Sequence, residues 1–309
     1  MITNKMNNVV CFGEVLWDIF PSGSRAGGAP FNVAYNLFKM GLNTKMLSRI
    51  GNDELGHRLL SQIQDWGITT EFIQVDHEKA TGTVLADFDE HGEAVYEIVQ
   101  EVAWDYIQPL PEHRKLIENS EAFVFGSLIT RNEASQNTLL ELLEYSNFRV
   151  FDVNFRPPFI DFEFIKKLLY KADLVKMNKA ELRTILEYLG EEYINEETGI
   201  RHLQAYFNLN EIVLTKGSKG ARYFVGKAAY NFPAVHIDIA DTVGSGDSFL
   251  AGFLSKRIQG SSPEEIMRQA TSLGAFITSK PGACPDYTYE EFRAFREKKQ
   301  LYNLLKHTI

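Results

Sequence analysis

Residues 239–254 read IADTVGSGDSFLAGFL, and they place an acid, a glycine-rich turn and an apolar run in that order. Asp241 and Thr242 close a segment, Val235–Ile239, that is expected to be a strand. Gly244-Ser245-Gly246 makes a turn without bulky side chains, and Asp247 stands where a helix begins. Phe249, Leu250, Phe253, Leu254 and Ile258 then recur at three- and four-residue intervals, the pattern of a buried helical stripe. A helix start preceded by glycines offers unpaired backbone N–H groups and the positive end of a dipole, which suits a phosphate. A carboxylate beside such a nest repels phosphate but is well placed to take a proton from a hydroxyl attacking phosphorus. On this stretch alone, the reading of Asp247 as a plain helix cap stays open.

Composition narrows the classes. The chain has 309 residues, and 44% hydrophobic content supplies a core for one large α/β domain or two small ones. Against 32 Lys and Arg stand 41 Asp and Glu, a net charge of −9, which argues against a nucleic-acid or anionic-membrane surface. Any nucleotide must therefore be held by a local pocket of amides and a few cations. Cys11 and Cys284 sit in no paired spacing, as expected of a reduced, cytoplasmic protein. The apolar run at the start is too short for a signal peptide, and no stretch approaches the length of a membrane span.

Working toward the N-terminus and then along the chain, Val9–Phe12 reads as a first buried strand, followed by Gly13-Glu14 and the run Val15–Phe20. Asp18 inside that run is either an outward residue of an alternating strand or an acceptor for a sugar hydroxyl. The stretch 25–32, RAGGAPFN, precedes an amphipathic helix that ends at Gly41. Its glycine pair permits close backbone approach to a ligand. Asn32 can donate and accept hydrogen bonds as polyol recognition requires, or can simply cap the helix. Leu47–Gly51 is a further strand, and a helix follows from Asp53 to Trp66.

Val84–Asp89 and Ala94–Val99 alternate in period two around Asp89–Glu93, a hairpin signal. With no helix between its strands, this hairpin reads as an insertion, a small sheet covering a site. Beyond it a βα rhythm returns, with strands expected at 122–125, 149–153, 174–176, 211–215 and 221–225. Helices are expected at 133–145, 164–170, 181–189, from Ser262 to about Thr278, and from Tyr289. Residues 191–198 are acidic and polar and read as a solvated loop. A mostly parallel, helix-covered sheet with a β lid is the natural assembly.

Three further places could carry chemistry. Asp152-Val-Asn154-Phe-Arg156 follows a strand end, where open α/β sheets bind ligands, and Arg156 could pair with an anion. Asn178-x-x-Glu181 could orient water around magnesium, but also has the form of a capping-box helix start. Thr215–Gly220 could bring backbone close to a nucleotide or be a hairpin turn. There is no phosphate-binding GxxxxGK[ST] loop, no complete dinucleotide fingerprint and no GxSxG elbow. The seven histidines lack ligand spacing, so a zinc site is not expected.

The pair GGAPFNVAYNLFKMG (27–41) and DTVGSGDSFLAGFL (241–254) resembles the two signature segments of the ribokinase-like carbohydrate kinases, the PfkB family. GEVLWDIFP, DVNFRP, ADLVKMNKAEL, VLTKGSKG and SKPGA follow the same order, so the resemblance covers nearly the whole chain. It implies one domain over 1–309, a three-layer α/β/α sandwich with a mostly parallel sheet, and a β lid from about 13–24 and 81–107. It implies ATP and Mg2+ as cofactors, with Asp247 as catalytic base and the amides of Gly244, Ser245 and Gly246 as anion hole. Asp18, Gly28 and Asn32 would hold sugar hydroxyls, with Arg156 beside them for substrate anions. Asn178 and Glu181 match the family's NxxE, linked to magnesium and phosphate, and Thr215, Gly217 and Gly220 would line the ATP site. A monovalent cation, K+, is implied near Asp241, Val243 and Gly282. Ser245 replaces the commoner Ala of GAGD. Ala29-Pro30 stands where ribokinases carry Lys-Gly, and the sequence looks most like the bacterial fructokinase branch, with 2-keto-3-deoxygluconate kinases as the nearest rival. The expectation is a cytoplasmic ATP-dependent kinase of a ketohexose, dimeric through its lid. A catalytically silent sugar- or nucleotide-binding relative is the reading from another class.

Overall fold

A computed structural model of the chain describes residues 8–21, 23–88 and 94–306. Thirteen strands are described: β1 (Asn8–Phe12), β2 (Leu16–Phe20), β3 (Gly23–Gly27), β4 (Asn43–Gly51), β5 (Ile73–Asp76), β6 (Gly82–Phe88), β7 (Ala94–Ile98), β8 (Ala122–Gly126), β9 (Arg149–Asp152), β10 (Leu174–Asn178), β11 (Glu211–Thr215), β12 (Ala221–Val225) and β13 (Ala228–Phe232). The helices are α1 (Ala29–Lys39), α2 (Glu54–Asp65), α3 (Pro111–Glu118), α4 (Glu133–Leu143), α5 (Phe162–Lys171), α6 (Lys179–Tyr188), α7 (Glu196–Phe207), α8 (Ser245–Arg257), α9 (Pro263–Thr278) and α10 (Tyr289–Lys306).

Nine strands form one sheet in the order β13-β12-β11-β10-β9-β8-β1-β4-β5. Every pairing from β11 to β5 is parallel, and β12 and β13 add an antiparallel edge. The strands are apolar on both faces, and their period of two sorts each residue to one of two cores. Val9, Cys11, Val124, Val150 and Leu174 meet α1, α2, α8, α9 and α10 on one face. Val10, Phe12, Phe125, Phe151 and Val175 meet α3 to α7 on the other. This is the three-layer sandwich the sequence implies. β4 and β8 flank β1, so the chain reverses its direction of travel across the sheet there, and the crevice beyond the strand ends is the natural ligand site.

A second sheet, β3-β2-β6-β7, stands apart. β2 pairs antiparallel with β3 and parallel with β6, and β6 with β7 forms the expected hairpin. Its turn, Asp89–Glu93, lies outside the described residues, as does the start of the chain. Trp17 anchors the sheet by donating from Nε1 to the Leu55 carbonyl of α2, 2.9 Å away.

Three local expectations need correction. Val235–Ile239 is not a strand; the last strand is β13, and Pro233 follows it at once. Proline has no N–H to continue the ladder, so the chain leaves the sheet there. The acidic stretch 191–198 is a loop only to Asn195, whose side chain accepts from Thr198 N at 3.0 Å and caps α7. The buried stripe Ile200, Leu203 and Phe207 holds that helix to the sheet. Finally, α8 buries all of Asp247–Ser255 rather than one stripe. It lies between α1 and α9, where a Cβ on Gly252 would stand 3.0 Å from the Ala270 Cα.

Candidate active site

The turn 241–247 sits over the strand ends. Gly244 has φ +73 and caps α8 without a side-chain hydrogen bond. A Cβ there would lie 2.4 Å from the Ala283 Cβ, so both the backbone conformation and the packing demand glycine. Ser245 N bonds the Thr242 carbonyl at 3.3 Å. The Gly246 and Asp247 amides belong to the first helical turn, where no intrahelical acceptor exists.

Asp247 is buried, and its Oδ2 accepts from Asn32 Nδ2 at 2.8 Å. Burial, reinforced by the charge of Asp152, pushes its pKa up to about 6, while Lys176, Asn32 and Arg156 oppose the rise. The Asn32 Oδ1 in turn accepts from Cys284 Sγ at 3.3 Å, which fixes the amide with its NH2 toward Asp247.

The glycine pair ahead of α1 is needed at each position for its own reason. A Cβ at Gly27 would fall 2.4 Å from Asp18 Oδ2, so the glycine leaves room for that carboxylate. Gly28 has φ +113, and a Cβ there would come 2.3 Å from the Glu14 carbonyl oxygen. Asp18 thus turns toward the start of α1 rather than outward, and burial raises its pKa to about 6 against the charges of Arg156 and Arg25. The Arg156 side chain is exposed, its Nη1 donates to the Phe155 carbonyl at 3.1 Å, and its charge is felt by Glu14, Asp18 and Asp247.

On the other side of the turn lies a pocket of about 640 Å³. Asn178, Thr215, Gly217 and Gly220 line it together with Ser245 and Gly246 of α8 and with Ala234, Val235, His236, Ile237 and Ile239 of the non-strand segment. Asn178 and Glu181 form a true capping box: Asn178 Oδ1 accepts from Ala180 N and Glu181 N, and Glu181 Oε2 accepts from Asn178 N at 2.7 Å. Glu181 Oε1 also accepts from Phe155 N at 3.2 Å. KGSKG is both the β11–β12 connection and a pocket wall, so neither reading excludes the other.

Asp241, Val243 and Gly282 also come together. Asp241 Oδ1 accepts from Val243 N and Oδ2 from Gly282 N, each at 3.0 Å, while Arg25 Nη1 stands 3.4 Å from Oδ2. The carboxylate is thus already engaged by two amides and a guanidinium.

Three residues escaped the sequence reading. Glu14 is buried, its Oε1 accepting from Ala29 N at 3.1 Å and its Oε2 without a partner among the described residues. Burial raises its pKa to about 7. Lys176 is buried on β10, with Nζ 2.8 Å from both oxygens of Asp152. Burial acts to lower its pKa, but the charges of Asp152, Asp247 and Glu181 outweigh it, so the ammonium persists. Cys284 is the third. A lysine inside an otherwise apolar strand was the one signal available, since an unpaired charge is not left in a core.

A cluster of hydrogen-bonding side chains (Asp18, Asn32, Asp247) and a pocket thus meet at one helix N-terminus. The family model for pfkB family carbohydrate kinases matches residues 6–288. A probable fructokinase of Arabidopsis thaliana is 27% identical over 306 residues, covering 90% of this chain and 92% of that protein. The fold is shared with a fructokinase from Xylella fastidiosa with bound ATP (TM-score 0.84, 20% identity, 96% of this chain and 99% of that one). A Vibrio cholerae fructokinase in its fructose-, ADP- and calcium-bound form also shares it (TM-score 0.81, 22% identity, 94% and 99%). With the motifs, the sheet order and the family match in agreement over nearly its whole length, the chain belongs to the pfkB family of carbohydrate kinases.

Proposed function

We propose that the protein is an ATP-dependent fructokinase that uses Asp247 as general base. The observation that carries this is the 2.8 Å contact of Asn32 with Asp247 at the helix N-terminus that closes the pocket. Relatives named fructokinases support the choice of sugar. Nucleotide enters between Thr215, Gly217, Gly220 and Asn178, so that its terminal phosphate reaches Ser245 and Gly246. Sugar is held by Asp18, Gly28 and Asn32, with Arg156 at the mouth. As the sugar oxygen bonds the γ-phosphorus, its proton passes to an Asp247 carboxylate oxygen. The phosphorus–oxygen bond to ADP breaks, and the electron pair leaves with ADP. The amides of Gly244–Asp247 stabilise the charge on the transferred group, an interaction worth about 10²–10³ in rate by the example of oxyanion holes. A pKa near 6 leaves Asp247 ionised at neutral pH yet basic enough to take the proton late in a loose transition state.

Among the described residues no group of three or more His, Cys, Asp or Glu could hold a metal. Mg2+ keeps most of its shell as water and phosphate oxygen, so it needs few ligands from the chain. Glu181, with both oxygens already on amides, fits as a partner through water, and Asn178 lies beside it. Bound there, the ion would neutralise phosphate charge. For K+ the donor set is less open, because Arg25 already answers the charge of Asp241. The small sheet acts as lid, excluding water from the transfer, and a dimer through that sheet goes with the exposed Leu85 of β6. Residence in the cytoplasm fits two cysteines that are both free. No described helix is long and apolar enough to cross a membrane.

The test is ATP turnover against fructose, ribose, glucose, tagatose, 2-keto-3-deoxygluconate and adenosine, with Mg2+ and with excess chelator. Fructose is expected to lead in kcat/KM, and the chelator to abolish turnover. If the acidic sugar leads, the fructokinase reading is wrong and Arg156 becomes the carboxylate contact.

A further inference from the structure

Gly246 poses a question that its backbone does not answer. Unlike Gly244 it is not at positive φ, and it lies in the first turn of α8, where its backbone has no need of glycine. The reason is lateral. A Cβ on Gly246 would stand 3.1 Å from Lys176 Nζ, so the missing side chain makes room for a buried ammonium. That ammonium has three protons, and among the described residues its hydrogen-bond acceptors are the two oxygens of Asp152, both at 2.8 Å. Gly246 is also part of the pocket wall, as is Asn178, two residues beyond Lys176 on the same strand. The cation therefore sits directly behind the surface that meets a terminal phosphate.

Charge balance points the same way. Glu14, Asp18, Asp152, Glu181 and Asp247 crowd this region, and an incoming phosphoryl group adds further negative charge. Arg156 is exposed, so water screens it. Lys176 is the buried cation among these groups. In a site closed to water its charge acts at short range and with little screening.

We propose that Lys176 is a further catalytic residue of the phosphoryl transfer, its ammonium clamped by Asp152 and held against Gly246 so that its third proton meets an oxygen of the transferred group. The assignment rests on the kinase reading above. Asp152 is then a positioning residue, and Gly246 is glycine because the ammonium must approach the anion hole.

Lys176→Met alone would strand the Asp152 carboxylate in the core and unfold the protein for a trivial reason. The informative variant is Asp152→Asn with Lys176→Met, a neutral pair of similar shape. Circular dichroism and thermal melting report its fold, and the affinities for ADP and fructose report the ground state. The affinity for ADP with aluminium fluoride, in the presence of fructose, reports the transition state. The expected result is a wild-type fold and ordinary ADP and fructose binding. Alongside these, kcat should fall about 10²–10³-fold, and the extra affinity for the fluoroaluminate complex should be lost. Wild-type kcat in this double variant would overturn the proposal, since the pair would then serve only to neutralise itself. Should the double variant not fold, Gly246→Ala gives the same decision. It pushes the ammonium back, and kcat should fall about tenfold to a hundredfold with ADP affinity kept, whereas unchanged kcat rejects the assignment. If the wild type neither phosphorylates a sugar nor binds the fluoroaluminate complex better than ADP, the kinase reading itself fails and takes this one with it.

Discussion

Replacing the proposed base should make the protein more stable, and by an amount that depends on pH. Asp247 has a pKa near 6 in the folded chain against 3.8 for the unperturbed group, because burial and Asp152 disfavour its charge more than Lys176 and Asn32 support it. A group whose folded pKa is raised contributes stability that is fully present below its unfolded pKa and is lost as pH rises through the folded one. A gap of about two pH units at about 1.4 kcal/mol each makes the ionised Asp247 cost at most about 3 kcal/mol above pH 6. Asp247→Asn keeps an acceptor for the Asn32 amide and removes the charge. Urea unfolding of both proteins across about pH 4 to 8 measures the difference. The variant should gain on the wild type as pH rises through this window and level off above it, while its turnover falls about 10²–10⁴-fold. Glu14 and Asp18, which titrate in the same range, are common to both proteins. A stability difference that does not change with pH, or a variant that loses ground toward pH 8, would refute the claim that Asp247 is held ionised at a cost. Near-normal turnover in the variant would refute its role as base.

Two further outcomes follow from the geometry. Gly28→Ala should destabilise by about 1–3 kcal/mol, since alanine is strained at φ +113 and its Cβ would meet the Glu14 carbonyl; the KM for sugar should rise far more than that for ATP, and an equal effect on both would place Gly28 outside the sugar site. Asn178→Ala removes the acceptor for two amides of α6 and should cost about 1 kcal/mol in a thermal melt, and an unchanged melting temperature would mean that the capping box contributes nothing.

Local chemistry carried much of this fold into the sequence. The Ser262 cap ahead of α9, the capping box of Asn178 and Glu181, and the βα alternation from β8 to β11 all rest on interactions within a few residues. The misreadings also had local causes. Val235–Ile239 has strand-like residues, but Pro233 removes the ladder that would have used them. The acids at the start of α7 hid a helix whose buried stripe lies further on. The run in α8 looked one-sided because its small and polar members, Ser248, Gly252 and Ser255, gave no apolar signal, although all three are buried and α9 packs against Gly252.

What the sequence by itself determined is therefore the set of parts: a helix N-terminus with free amides and an acid, a glycine pair before a helix holding an asparagine, and strands enough for a parallel sheet. Only the tertiary structure brought Asn32 to 2.8 Å from Asp247 across 215 residues, seated Lys176 behind Gly246, and set a buried Glu14 and a half-buried Asp18 beside them. Turns and caps are decided by neighbours along the chain. The charge state of a carboxyl and the reach of an ammonium depend on burial and on partners that the whole sheet must first align.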